Sequence, residues 1–250
     1  MTHHPDHAAT LHTPHHESTH ALMSFSDFCF AYDDRPTLRH VNLEIDAGDS
    51  VVLMGDNGSG KSTLLRAMSG LVLAQRGSYR FDGEPVTERS MRDAAFANRL
   101  HQRVGFIFQD SGAQLFCPSV ADEIAFGPRQ MRLVDDEVAR RVDDVCSLVG
   151  IDDLRGRAPY TLSGGEQKKV AIACILSMNP DVYCFDEPLN GLDAKTRRWL
   201  LGFLDELKAA GKTLVIATHD QSLADSLADY FVYMGGEHEY TDKPHVHINE

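Results

Sequence analysis

The most chemically informative stretch of the chain is 55–63, which reads G-D-N-G-S-G-K-S-T. Its glycines carry no Cβ, so the backbone can adopt positive φ and approach a phosphate closely. Successive N–H groups can then point at one anion, at the positive end of the helix predicted to follow. Lys61 adds a charge for the β- and γ-phosphates, and the Ser62 hydroxyl is suited to bind magnesium. The spacing, after the apolar run 51–54, predicts a phosphate-binding P-loop. Its candidate binding residues are Gly55, Asp56, Asn57, Gly58, Ser59, Gly60, Lys61, Ser62 and Thr63.

A pair of carboxylates follows a second apolar run, 182–185. Asp186 is suited to hold magnesium through water beside Ser62. Glu187 would point at the γ-phosphate and polarise an attacking water. Paired acids after a strand are common by themselves, and a solvated strand end is the alternative interpretation. The P-loop upstream favours the catalytic interpretation of this pair.

The segment 162–167, L-S-G-G-E-Q, is a second candidate anion site. The hydroxyl of Ser163 and the backbone of Gly164 and Gly165 open a predicted helix, 164–178, whose N-terminus attracts negative charge. Because this site lies far along the chain from the P-loop, the sequence suggests that one nucleotide is shared between two copies.

The elements that must position these groups alternate between strand and helix. Apolar runs at 51–54, 104–108, 182–185 and 213–217 are predicted strands, and a mostly parallel sheet with helices on its faces is expected. Alternating apolar residues at 25–32 and 41–45 predict two further strands. Residues 118–160 differ, because 135–149 has helical spacing and no parallel strand is evident, so we expect a helical subdomain there.

The ends of the chain differ from the expected folded domain at 25–235. Residues 1–24 are predicted to be a disordered tail, since large apolar residues are few. Residues 236–250 are predicted to be a polar C-terminal tail. Imidazole is a good ligand for nickel, cobalt, copper and zinc, so the N-terminal tail is a candidate metal-binding segment; the alternative is a tail that is indifferent to metal. Its histidines are His3, His4, His7, His12, His15, His16 and His20.

Composition excludes some classes of protein. The chain of 250 residues has 24 basic and 37 acidic residues and a net charge of −13, so no nucleic-acid partner is expected. No apolar run approaches the ~18 residues of a membrane span, and no signal peptide is predicted. The 5 cysteines form no C-x-x-C pair, which indicates reduced thiols in a cytosolic protein.

Over about 25–235 the chain resembles the ATP-binding cassette (ABC) ATPases. L-S-G-G-E-Q matches the signature of that family, and the order of P-loop, signature and strand-Asp-Glu is the family's order. The resemblance implies ATP and Mg²⁺ as ligands. It also implies an α/β fold: a P-loop NTPase (RecA-like) core with an antiparallel β subdomain and an inserted α-helical subdomain at about 118–160.

The resemblance also implies roles for four single residues. Tyr32 fits the aromatic residue that stacks on adenine, although a strand aromatic of the core is an equally good interpretation. Gln109 fits the glutamine that contacts magnesium and senses the membrane subunit. Asp193, in G-L-D, fits the D-loop that crosses between two copies. His219 fits the switch histidine at the γ-phosphate, whereas an isolated histidine is ordinarily structural.

This sequence departs from the family pattern at Leu189-Asn190, where small or hydroxylated residues are usual, and at Lys169, where arginine is commoner. These differences put only the contacts across the dimer in doubt.

A narrower resemblance covers 114–120 and 125–128, Q-L-F-C-P-S-V and A-F-G-P. It is similar to the ATPases of energy-coupling-factor importers, which transport cobalt, nickel, biotin and other vitamins. It implies integral-membrane partners that dock on 109–128, against exposed Leu115 and Phe116; the alternative is that these two cap the helical core.

The resulting hypothesis is an ATPase that energises uptake of cobalt or nickel from the cytoplasmic face of the inner membrane. Glu187, His219, Lys61 and Gln109 are its expected catalytic residues, and Ser62, Gln109 and Asp186 its expected magnesium ligands. The expected partner in the nucleotide site is a second copy or a related ATPase. The alternatives are the same role in a vitamin importer and a soluble ABC ATPase outside transport.

Overall fold

A six-stranded sheet of parallel neighbours forms the centre of the protein. The computed structural model describes residues 20–33, 35–235 and 245–248. In spatial order the strands are β10 (His245–Ile248), β9 (Tyr230–Met234), β3 (Ser50–Met54), β8 (Thr213–Ala217), β7 (Val182–Asp186) and β6 (Val104–Ile107).

Helices cover both faces of this sheet because its strands are apolar on both sides. Val51 and Leu53 pack into the cluster that includes Leu64 and Leu65, while Val52 packs into the cluster that includes Leu204. This alternation follows from the two-residue period of a strand, and burial on both faces explains the continuous apolar runs. The helices on the two faces are α1 (Lys61–Met68), α6 (Gly164–Leu176), α7 (Ala194–Ala209) and α8 (Gln221–Leu227).

A second, antiparallel sheet packs over α1. Phe25 stacks on Tyr79 with ring centroids 4.2 Å apart, and the Tyr79 hydroxyl donates to the carbonyl of Met68 at 2.9 Å. Both aromatic residues share one core with the α1 side of the parallel sheet. The strands, in spatial order, are β2 (Arg35–Ile45), β1 (Met23–Tyr32), β4 (Arg76–Phe81) and β5 (Glu84–Pro85).

The inserted helices have a core of their own. Ile124 and Val142 pack with Val170 of α6, so this third core adjoins the parallel sheet through the helix that the signature opens. The predicted helix at 135–149 is confirmed: its four valines are buried, Leu148 is exposed, and Gly150 ends it at φ 68°. The remaining helices are α2 (Glu88–Arg92), α3 (Ala94–Arg103), α4 (Val120–Gln130) and α5 (Asp135–Val149).

The structure confirms the predicted fold class and corrects several limits. β1 begins at Met23, inside the expected tail, and β2 begins at Arg35, six residues before the alternating run predicted at 41–45. The expected polar end contains a strand, β10, which pairs with the edge of β9; that pairing is long-range and leaves no local signal. Helices α2, α3 and α8 and strand β9 were not predicted either. Of the tail histidines, only His20 lies within the described residues.

Candidate nucleotide site

The P-loop closes tightly against its neighbours. Gly55 has φ 141° and Gly60 has φ 103°, a region that residues with a side chain rarely adopt. A Cβ on Gly55 would lie 2.4 Å from the carbonyl oxygen of Met234, and one on Gly60 would lie 2.9 Å from that of Thr37. The close approach of backbone to backbone therefore requires glycine at both positions.

Lys61 lies over this loop. Its Nζ donates to the carbonyl oxygens of Gly55 at 2.6 Å and Asp56 at 3.0 Å, and the side chain is buried. Two carbonyl oxygens at the start of the loop thus hold the ammonium group. A charge in that position, at the N-terminus of α1, suits a polyphosphate.

Ser62 and Asp186 meet although they lie 124 positions apart in the chain. The Ser62 hydroxyl donates to Asp186 Oδ1 at 2.9 Å. Burial raises the pKa of Asp186 above its ordinary value, while the Ser62 hydrogen bond opposes that rise. A buried carboxylate of this kind is stabilised by a nearby cation. The hydroxyl and carboxylate oxygens fit Mg²⁺, which prefers hard oxygen ligands.

The pair lies in the wall of an open cavity of about 640 Å³. The structure also brings Gln109, from the end of β6, into this wall. Asp186 reaches it from the end of β7, so both carboxyl ends of neighbouring parallel strands meet at one edge of the sheet, as the fold predicts. The other lining residues are Arg66, Phe108, Asp110, Ala113, Asn190 and Gly191.

Glu187 occupies a strained position directly after β7. Its φ is 44°, a left-handed conformation that is uncommon for a residue with a side chain. Its N–H donates to the carbonyl of Ala217 at 2.9 Å, and its carboxylate is 3.0 Å from Nδ1 of His219. The residue is only 7% exposed, so the turn fixes the carboxylate in place.

Tyr32 lies at the end of β1 with 41% of its surface exposed. One face is free of the core, while the ring meets Phe30 edge-on with centroids 4.7 Å apart. Arg66 Nη1 donates to its hydroxyl at 3.4 Å. The residue is therefore neither fully buried nor isolated, which leaves both sequence interpretations open.

The signature serine caps α6. Ser163 Oγ accepts the N–H of Glu166 at 3.4 Å and donates to its carboxylate at 2.8 Å. Hydrogen bonds from Ser163 hold the pKa of Glu166 below its ordinary value. Asp193 caps α7 in the same way, through the N–H groups of Lys195 and Thr196 at 2.8 and 2.9 Å.

These two caps are not part of the cavity beside Ser62. Among the described residues that line it, none is Ser163, Gly164, Gly165 or Asp193. Ser163 and Gly164 are instead exposed to solvent. The single chain therefore does not bring the signature to its own P-loop cavity.

Lys168, which no pattern in the sequence distinguishes, connects the signature helix to Gln109. Its Nζ donates to the carbonyl oxygens of Phe108 and Gln109, each at 3.1 Å. The residue is 2% exposed, and burial lowers the pKa of its ammonium group to about 8. A lysine on a helix ordinarily indicates a solvated face, so no local signal distinguishes this one.

A second cavity of about 350 Å³ lies where α3, α4 and α6 converge. Phe116 is 69% exposed at its edge and meets Phe126 edge-on with centroids 5.0 Å apart. Buried Glu123 accepts the N–H groups of Phe116 and Cys117 at 2.8 and 2.5 Å, which fixes this loop. Leu115 is half-buried against the helical core, as expected of a residue that caps that core. Phe116 is exposed, as expected of a residue that contacts a partner.

Within the residues that the structure describes, no helix has the length and apolar character needed to cross a membrane. The cysteines among them, Cys29, Cys117, Cys146, Cys174 and Cys184, are free thiols.

Comparison with known proteins places this geometry in a family. Residues 38–190 match the sequence pattern of the family described as ABC transporter. The chain is 42% identical to the nickel import ATP-binding protein LarO of Lactiplantibacillus plantarum, over 87% of this chain and 90% of that protein. It is 38% identical to the energy-coupling factor transporter ATP-binding protein EcfA2 of Methanospirillum hungatei, over 85% of this chain and 53% of that protein.

Solved structures have the same fold. The structure of cbiO1 from Clostridium perfringens, described as part of the ABC transporter complex cbiONQ, gives a TM-score of 0.75 at 32% identity, over 86% of this chain and 85% of that chain. The dimeric structure of MJ0796 bound to ADP and Pi gives a TM-score of 0.75 at 26% identity, over 85% of this chain and 94% of that chain. With its P-loop, signature and paired carboxylates on that fold, the chain belongs to the ABC transporter ATPases, and within them to the ATP-binding proteins of the energy-coupling-factor type.

Proposed function

We propose that this chain is the ATP-hydrolysing subunit that energises a membrane importer of nickel or cobalt. The observation that carries the ATPase role is the meeting of three groups at one sheet edge: the Lys61 loop, the Ser62–Asp186 pair and the Glu187–His219 pair. The names of similar proteins support the solute, since LarO and NikO of Rhodobacter capsulatus, 40% identical, are both nickel import ATP-binding proteins.

In the proposed mechanism, the P-loop and Lys61 bind the β- and γ-phosphates of ATP. Ser62, Asp186 and Gln109 would hold Mg²⁺, which supplies charge neutralisation at the phosphate oxygens. Glu187 orients the attacking water and accepts its proton as the oxygen bonds to the γ-phosphorus and the β–γ bridging oxygen leaves with ADP. His219 holds the Glu187 carboxylate and contacts the γ-phosphate.

The complete site would need two chains. Ser163 is exposed and does not line the P-loop cavity of its own chain. We propose that Ser163, Gly164 and Gly165 of a second copy, or of a related ATPase, contact the γ-phosphate, with Asp193 crossing between them. Closure on ATP and opening after hydrolysis would then drive the transport cycle.

The membrane subunits would dock on 109–128, in the cavity beside Phe116 and Phe126. Exposed aromatic residues around a concave apolar surface are typical of a site for a partner helix. Through Gln109 the same segment reaches the nucleotide cavity. The protein would therefore lie at the cytoplasmic face of the inner membrane, attached through its partners.

Uptake measurements test the proposal. Deletion of the gene should abolish high-affinity uptake of radioactive nickel or cobalt, and the native chain, but not Glu187→Gln, should restore it. Loss of biotin or other vitamin uptake instead would assign the alternative cargo and leave the ATPase role intact. Recovery of the chain without membrane proteins, together with unchanged uptake of every solute, would favour an ABC ATPase outside transport.

A further inference from the structure

Three side chains with metal-binding atoms, none of them in the nucleotide motifs, converge on the antiparallel sheet. They are Asp27 and Cys29 on β1 and His40 on β2. One carboxylate oxygen, the thiol sulfur and one imidazole nitrogen all lie within 4.8 Å of one another. Ligand atoms that share one tetrahedral ion lie roughly 3.5 Å apart, so small side-chain rotations suffice to close the site.

The backbone at this point is built in an unusual conformation. Asp27 and His40 both have φ 49°, in the left-handed region that is costly for residues with side chains. The register of β1 against β2 and β4 shifts here, so the strand bulges. Strain of this kind persists only where the surroundings enforce it, and it is concentrated at functional positions.

Asn42 holds both strained residues. Its Oδ1 accepts the N–H of Asp27 at 2.9 Å, and its Nδ2 donates to the carbonyl of His40 at 2.9 Å. Gly77 lets β4 approach, because a Cβ there would lie 2.1 Å from the carbonyl oxygen of Asp27. The positions of the Asp27 and His40 side chains are therefore determined from both neighbouring strands.

Cys29 Sγ is placed by the backbone of both ligand partners. The backbone N–H of His40 donates to Sγ at 3.3 Å, and the thiol donates to the carbonyl oxygen of Asp27 at 3.5 Å. Cys29 is partly exposed, so an ion can reach the sulfur. The thiolate is the form in which cysteine binds a metal.

Two basic side chains contact the carboxylate of Asp27. His40 Nδ1 lies 2.5 Å from Asp27 Oδ1, and Arg76 Nε lies 3.1 Å from Oδ2. Arg76 occupies Oδ2, so an ion bound between Oδ1 and the imidazole would replace the hydrogen bond that joins Asp27 to His40.

We propose that Asp27, Cys29 and His40 form a binding site for a divalent transition-metal ion such as zinc, cobalt or nickel. Sulfur, nitrogen and oxygen donors together suit ions of borderline softness and disfavour magnesium and calcium. Because His40 is exposed, water can supply the fourth ligand. The ion would join β1 to β2 on the hairpin that carries Tyr32. This site is separate from any binding by the tail histidines and does not depend on which solute is imported.

The competing interpretation is a surface hydrogen-bond network in which His40 simply pairs with Asp27. Cobalt titration of the metal-free full chain separates the two, because a thiolate ligand produces sulfur-to-cobalt charge-transfer absorption in the near ultraviolet. The tail at 1–24 contains histidines but no cysteine, so its cobalt complexes lack that band. We expect the band to saturate at one cobalt per chain.

Single substitutions identify the residues that produce the sulfur-to-cobalt absorption band. Cys29→Ser should abolish it, whereas the control Cys117→Ser should retain it. Asp27→Asn and His40→Asn should weaken cobalt binding roughly tenfold or more, and asparagine tolerates the left-handed backbone at both positions. Absence of the band in the native chain, or its persistence in Cys29→Ser, overturns the proposal.

A second measurement needs no variant. Zinc should slow iodoacetamide alkylation of Cys29 in the native full chain, followed by peptide mass spectrometry, and leave the rate at Cys117 unchanged. Equal alkylation rates at Cys29 with and without zinc, at a concentration well above that of the protein, would also overturn it.

Discussion

Nδ1 of His219 lies 3.0 Å from the carboxylate of Glu187, joining the ends of β8 and β7. The Glu187 side chain is nearly buried, while the imidazole of His219 is largely exposed. This contact makes the two residues a unit whose members can be tested separately.

Glu187→Gln should bind ATP and fail to turn it over. Glutamine keeps the shape and a hydrogen-bond acceptor for His219 but cannot accept the proton of the attacking water. Lys61 and the loop that it spans are unaffected, so a dimer trapped with ATP should appear in size-exclusion chromatography with magnesium. ATP hydrolysis within tenfold of the native rate would exclude the role proposed for Glu187.

Lys61→Ala should weaken nucleotide binding itself, because it removes the charge at the centre of the P-loop. Affinity for a fluorescent ATP analogue is the measurement, and Glu187→Gln is the matched control that should retain it. Equal affinities in the two variants would contradict the division of roles between the residues.

Ser163 should act across the dimer. In a mixture of Ser163→Arg and Lys61→Ala chains, the mixed dimer retains one composite site in which both motifs are intact. We expect the mixture to recover ATPase activity that neither variant shows alone. Activity no greater than the sum of the separate variants would argue for a site that is complete within one chain.

Lys168→Met should lower the ATPase rate while ATP binding persists. The change removes both hydrogen bonds that hold the carbonyls of Phe108 and Gln109, so Gln109 loses its position in the cavity wall. We expect a loss of roughly tenfold in kcat, comparable with the ~1 to 3 kcal/mol of a buried hydrogen bond left unmade. If Lys168→Met had the same kcat as the native chain, the contact of Lys168 with the Gln109 carbonyl would not matter for hydrolysis.

The same variant should change the pH dependence of stability. The pKa of Lys168 is about 8 in the folded protein and near its ordinary value when unfolded, so the unfolded state binds more protons between these two values. Stability contributed by this group therefore rises with pH above 8, by up to roughly 3 kcal/mol. Urea unfolding at pH 7.5 and 9.5 should show this rise in the native chain relative to Lys168→Met, whereas parallel curves would contradict the cited pKa.

Phe116→Ser should release the chain from its membrane partners. Phe116 is the exposed edge of the second cavity, so its loss removes apolar contact without exposing a core. Co-purification from solubilised membranes should fall sharply, and basal ATPase activity is the internal control for folding. Tyr160→Ser, at an even more exposed aromatic residue outside that cavity, should keep the partners; equal retention of partners by both variants would place the interface elsewhere.

The sequence by itself determined the motifs and much of the fold. The P-loop, the signature and Asp186-Glu187 are short local patterns whose chemistry is set by residue type and spacing. The helix at 135–149 and the strand at 213–217 have the limits predicted, because their periodicity and their end signals agree. The resemblance over 25–235 then implied which groups would face the nucleotide.

Features that depend on contacts between distant segments were decided only by the tertiary structure. Strand β10 exists because the edge of β9 is available to pair with it, and Lys168 is buried because the end of β6 offers two carbonyls. Asp27 and His40 look like ordinary surface residues in the sequence. Their meeting depends on the register of β1 against β2 and on a strained backbone that Asn42 supports, and these long-range constraints leave no periodic signal in the chain.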